Sequence, residues 1–149
     1  MSLLLALALA ASPEPVFACS FGAKQLTVTQ QGDALVYRYG TKARAELRIV
    51  ADAPSNRVFY HRTLYARAED QTLRFVSGEY NYVVYAHWSA PSMGMTEESS
   101  TPENFYGGLT VMRGEKELTS RRCNSGGDMR EWPIFKTLPQ DETNMTPPG

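Results

Sequence analysis

Histidine is the side chain best suited to acid–base or metal chemistry at neutral pH, and the chain has two, His61 and His87. They fall on different predicted strands, and a zinc site would require at least one further ligand beside them. No serine lies in the Gly-x-Ser-x-Gly pattern of a nucleophile elbow, and no glycine-rich phosphate loop leads from a strand into a helix. Glu97, Glu98 and Glu103 lie on a predicted loop, which gives paired-carboxylate catalysis little preorganisation. The sequence therefore predicts a protein that is not an enzyme and holds no metal or cofactor.

The only two cysteines, Cys19 and Cys123, predict a disulfide. One precedes the predicted strands and the other follows them, and an even pair in an oxidising compartment most simply forms a bond. Closing a loop of about 100 residues contributes up to ~4.7 kcal/mol in the chain-entropy model. The alternative treats Val16-Phe17-Ala18-Cys19 as a lipoprotein processing site, with a lipid anchor on Cys19 and a free thiol at Cys123. Phe17 is bulky for such a motif, which favours the disulfide.

The first 18 residues have the pattern of a secretory signal peptide. Residues 3–11 contain only alanine and leucine, and this apolar run is too short to cross a bilayer as a helix. Two small-x-small cleavage patterns are present, Ala8-Leu9-Ala10 at the end of the run and Val16-Phe17-Ala18 after it, although no lysine or arginine precedes the run. The prediction is a periplasmic or secreted protein with no membrane span.

Alternation and side-chain type predict strands along most of the chain. Residues 58–88 hold most of the aromatic and β-branched side chains, which favour a pleated surface. Residues 26–31, 34–39 and 43–50 alternate between apolar and polar side chains, and tight turns separate them. A last hairpin over residues 107–123 brings the count to eight strands. The predicted fold is all-β, an eight-stranded antiparallel meander closed as a small barrel or flattened into a sandwich.

The predicted domain organisation has three parts. Residues 1–18 are the signal peptide, residues 19–123 the β-barrel domain and residues 124–149 a C-terminal tail. The two adjacent glycines after Asn124 and Ser125 are expected to break regular structure. The rest of the tail is expected to dock loosely through a few apolar side chains: Trp132, Ile134, Phe135 and Leu138.

Aromatic residues bracket the longest predicted loop, residues 89–106. Tyrosine and tryptophan are enriched at interfaces because they combine a large rigid surface with a polar tip. The loop has three acids and no lysine or arginine, which favours a protein partner with a basic surface. A formal net charge of −1 gives no support for nucleic-acid binding. The aromatic set is Tyr80, Tyr82, Tyr85, Trp88, Phe105 and Tyr106.

The opening of the predicted domain, residues 19–29, resembles the MliC/PliC-type periplasmic inhibitors of c-type lysozyme. Those proteins are small exported eight-stranded barrels that also open on Cys, Gly and a Leu-x-Val strand. Their first inhibitory motif is Ser-Gly-x-x-Tyr. Here Ser77-Gly78 supplies the first half, and Tyr80 and Tyr82 flank the position of the motif tyrosine. Their second motif ends in Thr-Lys-Gly and has no counterpart in this chain. The resemblance implies a protein inhibitor whose partner is a lysozyme.

Two functions remain open from the sequence. The first is an exported binding module whose predicted partner-binding residues are Ser77, Gly78, Glu79, Tyr80, Tyr82, Trp88, Glu97, Glu98 and Tyr106. The alternative is a small-ligand carrier with a hollow barrel interior, because an eight-stranded barrel either fills with side chains or holds one small ligand. The predicted pocket of the carrier is lined by Tyr37, Tyr39, Phe59, Phe75 and Trp88.

Overall fold

The computed structural model describes residues 14–143, which form ten β-strands and three short 3₁₀ helices. The strands are β1 (Pro15–Phe21), β2 (Lys24–Gln31), β3 (Ala34–Gly40), β4 (Ala45–Asp52), β5 (Val58–Leu64), β6 (Ala68–Ser77), β7 (Tyr80–Ser89), β8 (Asn104–Arg113), β9 (Lys116–Arg122) and β10 (Ser125–Met129). The 3₁₀ helices span Ala53–Ser55, Glu97–Ser99 and Pro133–Thr137. The all-β prediction is confirmed for this part of the chain.

Two five-stranded antiparallel sheets hold these strands. Sheet A has the order β10-β1-β2-β3-β4, and sheet B has the order β5-β6-β7-β8-β9. Both are meanders, except that β10 returns from the end of sheet B to pair with β1. The predicted barrel is wrong, because no ladder joins the sheets between residues 14 and 143, and the strand number is ten rather than eight.

The chain leaves sheet A in the short connection between β4 and β5. The Ser55 backbone N–H donates to the Asp52 carboxylate at 3.0 Å and caps a 3₁₀ helix that has Pro54 in its first turn. Asn56 follows in the left-handed region with φ of 54°. Proline lacks the N–H that a further ladder bond would need, so the pairing of sheet A ends here and β5 opens a second sheet.

One hydrophobic core lies between the two sheets because alternate side chains of each strand point inward. The Tyr37 ring joins the sheets: its centroid lies 5.3 Å from that of Phe75 and 5.5 Å from that of Tyr82. Burial stabilises such a core by roughly 1.5–3 kcal/mol for each large apolar side chain. The largest fully buried side chains include Tyr37, Phe17, Phe75, Phe135, Leu26, Leu35, Ile49 and Leu73.

The first strand begins before the predicted domain boundary at residue 19. Val16 and Phe17 are 2% and 1% exposed and belong to the core. Residues 15–18, which the prediction placed in the signal peptide, are therefore part of the folded domain. Residues 1–13, with the apolar run 3–11 and the Ala8-Leu9-Ala10 pattern, lie outside the described residues.

The predicted disulfide is confirmed. Cys19 in β1 is bonded to Cys123, which follows β9, across a sequence separation of 104 residues, and the two Cα atoms are 5.3 Å apart. The bond ties the first strand of sheet A to the last strand of sheet B. Because the Cys19 sulfur is bonded to Cys123, it is not available for a lipid anchor.

The C-terminal region is docked more firmly than predicted. The glycine-containing segment after Cys123 forms β10 instead of breaking structure, with Gly126 and Gly127 at φ of 77° and 95°. Ile134, Phe135 and Leu138 are buried in the core. Residues 139–141, the C-terminal strap, then run along the open edge of β5. Residues 144–149 lie outside the part of the chain that the structure describes.

Two backbone hydrogen bonds attach the C-terminal strap to β5. The Tyr60 N–H donates to the Pro139 carbonyl at 3.0 Å, and the Asp141 N–H donates to the Tyr60 carbonyl at 2.8 Å. The Tyr60 ring also stacks on Phe135 at a centroid distance of 4.6 Å. The strap therefore satisfies backbone groups that an edge strand would leave open.

The strap also buries an ion pair on the outer face of sheet B, the face turned away from the core. Arg74 Nε lies 2.9 Å from Asp141 Oδ2, and Arg74 Nη1 donates to Asn81 Oδ1 at 2.8 Å. The Arg74 guanidinium lies 4.3 Å above the Phe59 ring. Burial alone would raise the pKa of Asp141, but the hydrogen bonds from Arg74 and Thr143 outweigh burial and hold that pKa below its usual value.

Two glycines allow β8 and β10 to approach each other closely. A Cβ added to Gly107 would overlap the Gly127 carbonyl oxygen. Replacing Gly107 with alanine is therefore expected to lower the free energy of unfolding by about 1–3 kcal/mol, the usual cost of overpacking. Chemical denaturation measures this, with Gly114→Asn as a control at an open turn whose left-handed φ asparagine tolerates. A Gly107→Ala variant as stable as the wild type would contradict the close contact.

Candidate binding surfaces

The predicted partner-binding residues lie at the two ends of β7, not on one surface. Tyr80 and Tyr82 begin this strand and Trp88 is near its end. Trp88 lies eight positions after Tyr80 along the strand, a distance of roughly 27 Å at the usual rise. The β6–β7 turn and the long loop between β7 and β8 are therefore two separate candidate surfaces.

The β6–β7 turn presents a polar surface whose charge is already paired. Gly78 adopts φ of 60°, the left-handed conformation that a two-residue hairpin turn requires. Arg113 Nη2 donates to Glu79 Oε1 at 2.9 Å, and both side chains are more than half exposed. The Arg113 guanidinium lies 5.9 Å from the Tyr80 ring centroid. Ser77 and Tyr80 are half-buried, so this turn offers a partner little apolar area.

The opposite end of sheet B exposes a row of large apolar side chains. The strand register aligns Leu64 with Glu69, Glu69 with Trp88, and Trp88 with Phe105. These four residues lie on the face of sheet B that packs against the core, but they lie outside the core itself. Leu64, Trp88 and Phe105 are 66%, 40% and 55% exposed. We call these three residues the apolar rim.

The loop that borders the apolar rim is shorter and more ordered than predicted. It comprises residues 90–103, because β7 extends to Ser89 and β8 begins at Asn104. Ser92 and Thr101 form an antiparallel bridge, and Thr96 and Ser99 form a capping box around the 3₁₀ helix. These bonds give the loop a defined structure.

The chemistry of the loop is acidic and apolar. Glu97 and Glu98 are exposed and form no ion pair with any residue between 14 and 143. Met93 and Met95 are 91% and 103% exposed. Glu103 accepts a hydrogen bond from the Trp88 indole N–H and so fixes the tryptophan ring beside the loop. The loop therefore joins the apolar rim in one surface.

Tyr106 lies on the other face of sheet B and does not join the apolar rim. It pairs with His87 across the ladder, and the two rings stack with centroids 4.7 Å apart. The Arg122 guanidinium lies 3.9 Å from the Tyr106 centroid, and His87 Nδ1 is hydrogen-bonded to the Asp70 carboxylate. Phe105 takes the place on the rim that was predicted for Tyr106.

Sequence reasoning left two rim residues, Leu64 and Phe105, out of the predicted set. Strand alternation carries the signal for Phe105: Leu109 is buried, so Gly107 and Phe105 must lie on its face of β8, and Tyr106 on the other. For Leu64 the signal is weaker, because its position on the rim depends on the pairing of β5 with β6.

Neither histidine belongs to a cluster of potential metal ligands. His61 is exposed, and its Nε2 lies 3.0 Å from Thr63 Oγ1. His87 lies on β7, two strands away from β5. Among residues 14–143 no group of three His, Cys, Asp or Glu side chains could hold a metal ion.

A cavity of about 190 Å³ opens between the sheets at the end opposite the apolar rim. Two residues of the predicted carrier pocket, Tyr37 and Tyr39, line it. Phe59 lies under Arg74 on the outer face and Trp88 lies on the rim, so neither contributes. No barrel closes among residues 14–143, so these residues do not form the predicted hollow barrel interior. The lining residues are Phe21, Tyr37, Tyr39, Leu47, Tyr82, Leu109, Val111, Thr119 and Arg121.

Tyr37 is the most unusual residue of this cavity. Its side chain is fully buried, and its hydroxyl is the one buried side-chain polar atom of residues 14–143 that has no hydrogen-bond partner. Burial, together with the neighbouring Tyr82 and Tyr39, raises the pKa of Tyr37 far above its usual value. The hydroxyl therefore keeps its proton and remains a hydrogen-bond donor at any physiological pH.

No family model matches the chain, and no curated protein or solved structure matches it. Within residues 14–143, no helix has the length and apolar character needed to cross a membrane.

Proposed function

We propose that the chain is an exported, non-catalytic binding module that captures a protein with a basic surface through the apolar rim and the loop of residues 90–103. The exposure of Leu64, Trp88 and Phe105 in one row is the observation that carries this proposal. Large apolar side chains exposed together are unusual on a monomer and mark interaction surfaces.

The rim has the properties of an interface centre. Trp88 and Phe105 stand on paired strands, so their backbones are already ordered and little entropy is lost when a partner covers them. Aromatic residues of this kind dominate binding energies in protein interfaces. Met93 and Met95 add flexible apolar surface that adapts to the shape of a partner.

The negative charge of the loop favours a basic protein as the partner. The loop presents Glu97 and Glu98 without neutralising ion pairs among the described residues, and it contains no lysine or arginine. Acidic groups around an apolar centre steer a basic protein toward it and disfavour acidic ones. A c-type lysozyme is the first such protein to test, because of the resemblance of residues 19–29 and Ser77-Gly78 to lysozyme inhibitors.

The test compares rim and turn variants in one assay. We expect the wild type to slow cell-wall hydrolysis by a c-type lysozyme, and Trp88→Ala and Phe105→Ala each to weaken binding by roughly 30-fold, the effect of losing about 2 kcal/mol. Tyr80→Ala, at the far end of β7, is the matched control and should bind as the wild type does. Titration with cytochrome c, another small basic protein, measures unspecific charge attraction.

Two outcomes would contradict this proposal. Undiminished hydrolysis at high micromolar protein would remove lysozyme as the partner. Loss of inhibition in Tyr80→Ala with full inhibition in the rim variants would move the interface to the β6–β7 turn, as the family resemblance implies.

Export predicts a particular processed chain. Cleavage after Ala18 would remove Val16 and Phe17 from the core, so we expect processing before Pro15, at or near the Ala8-Leu9-Ala10 pattern. The intact mass of the protein from a periplasmic fraction should match a chain that retains Pro15 and should gain two hydrogens on reduction. A mass that begins at Cys19, or one that includes acyl chains, would contradict the prediction.

A further inference from the structure

The strand β4 is an outer strand of sheet A, and no further strand pairs with it among residues 14–143. Its pairing with β3 runs from Leu47 to Asp52 without a register shift. The other outer strands are less open: residues 139–141 cover β5, a register shift interrupts β9, and two glycines with positive φ distort β10. The β4 edge is therefore the most regular template for an added strand in the described part of the chain.

The backbone groups of Arg48 and Val50 point toward this open edge. Hydrogen-bonded and non-hydrogen-bonded pairs alternate along an antiparallel ladder. The two-residue turn between β2 and β3 makes its flanking residues a hydrogen-bonded pair, and counting from it along β3 assigns Leu47 and Ile49 to the bonds with β3. The Arg57 guanidinium, 3.5 Å from the Val50 carbonyl oxygen, agrees with this count.

The side chains of β4 give the two faces of this edge different chemistry. Ile49 is 1% exposed in the core, and Leu47 is half-buried and packs against the core. Arg48 and Val50 alternate with them, so they point to the outer face of sheet A, where both are exposed. An added strand would place one set of side chains beside Arg48 and the other beside Leu47.

Basic residues surround the β4 edge. Residues 38–57 contain five lysines or arginines and two acids. Both acids are engaged, because Glu46 forms an ion pair with Lys24 and Asp52 caps the 3₁₀ helix. The exposed basic residues that form no ion pair among residues 14–143 are Lys42, Arg44, Arg48 and Arg57.

We propose that β4 binds an extended acidic peptide segment of another protein as an added antiparallel strand, with an acidic side chain beside Arg48 and an apolar one beside Leu47. Backbone hydrogen bonds supply affinity in strand addition, and alternate side chains supply specificity. The unpaired basic residues select an acidic segment.

Other occupants fit the edge less well. A second copy of the chain would bring two basic edges together, and like charges on paired strands are destabilising. A nucleic acid or a sulfated polysaccharide would match the charge but cannot form a ladder with the backbone of Arg48 and Val50.

This site is independent of the apolar rim, because β4 belongs to sheet A and the rim to sheet B. Failure of lysozyme binding would leave it untouched. Trp88→Ala should bind an acidic peptide as the wild type does.

A capped heptapeptide that alternates glutamate and valine tests the proposal, with two N-methylated forms as controls. In antiparallel pairing, a glutamate opposite Arg48 also turns its N–H toward β4, and the valine N–H groups point away. We expect N-methylation of the glutamates to weaken binding at least about 10-fold, whereas N-methylation of the valines should leave it nearly unchanged. Amide exchange at Arg48 and Val50 should slow when the unmodified peptide is bound.

A pair of charge-reversal variants tests the position of the site. Arg48→Glu should weaken binding about 10-fold or more, whereas Lys116→Glu makes the same change of net charge on β9 and should bind as the wild type does. The proposal is overturned if the peptide does not bind saturably at millimolar concentration, if both N-methylated forms bind equally, or if the two variants weaken binding equally. Protection of the Arg48 amide that grows with protein concentration without peptide would assign the edge to a second copy instead.

Discussion

Replacing Asp141 with alanine is expected to lower the free energy of unfolding by about 3–5 kcal/mol, because it leaves the Arg74 guanidinium charged and buried without its partner. The two side chains are 9% and 5% exposed, and Arg74 makes two hydrogen bonds to the Asp141 carboxylate. The loss should also release the C-terminal strap, since the Asp141 backbone is bonded to Tyr60. Urea denaturation measures the stability, and amide exchange at Tyr60 measures the release of the strap.

Two controls distinguish a broken pair from a general loss of charge. Glu79→Ala removes an exposed carboxylate from Arg113 and should change stability by at most about 1 kcal/mol. The double variant Arg74→Met/Asp141→Leu removes both buried charges and should recover much of the loss. Equal effects of Asp141→Ala and Glu79→Ala would show that burial of the pair contributes nothing.

The same pair predicts how stability depends on pH. The folded pKa of Asp141 lies below the usual value of 3.8, so the carboxylate contributes its full stability above that value. As the pH falls through the lower folded pKa, the carboxyl group binds a proton and the contribution is lost. The stability difference between the wild type and Asp141→Ala should therefore narrow below about pH 4. A difference that stays constant down to pH 2 would contradict the ionic contribution.

Reduction of the Cys19–Cys123 disulfide is the second change with a large expected effect. The bond closes a loop with a sequence separation of 104 residues, and its loss is expected to cost up to ~4.7 kcal/mol in the chain-entropy model. Loss of the disulfide should destabilise both sheets, because Cys19 lies in β1 and Cys123 connects β9 to β10. Cys19→Ala/Cys123→Ala should unfold at a much lower urea concentration than the oxidised wild type.

Reductant supplies the control for the disulfide. It should lower the denaturation midpoint of the wild type to that of the double alanine variant and leave the variant unchanged. If reductant does not move the wild-type midpoint, the packing of Val16 and Phe17 alone holds β1 in place, and the prediction is wrong.

The local parts of the fold could be predicted from alternation, and the non-local parts could not. Residues 26–31 and 34–39 alternate clearly and lie within β2 and β3. In β1 the register shifts on both sides of Phe17, and Val16 and Phe17 are both buried, so the period of two is lost. In β10 the adjacent glycines are typical of a turn, and only the close approach to Gly107 explains them as strand residues.

The division into two sheets and the burial of Arg74 depend on contacts between distant residues. The sequence indicates a loop after Asp52 but not whether the next strand pairs with β4. Arg74 has the pattern of a solvated arginine on the outer face of a sheet, and its partner Asp141 is 67 residues further along the chain. No local pattern connects the two.

The candidate surfaces were predictable to the extent that strand alternation decides them. Trp88 was predicted and lies on the rim, whereas Tyr106 was predicted and faces the other way, because a strand turns each successive side chain to the opposite face. The burial of the Tyr37 hydroxyl has no signature in sequence, since it depends on how side chains from other strands pack around it.

The C-terminal strap has a consequence for self-assembly. The two outer strands of sheet B avoid joining other molecules by different means: all seven residues of β9 are exposed and four of them are charged, whereas β5 is shielded by residues 139–141. A protease that cut after Leu138 would uncover a ready template for an added strand. We expect a chain ending at Leu138 to form higher oligomers, which light scattering would detect.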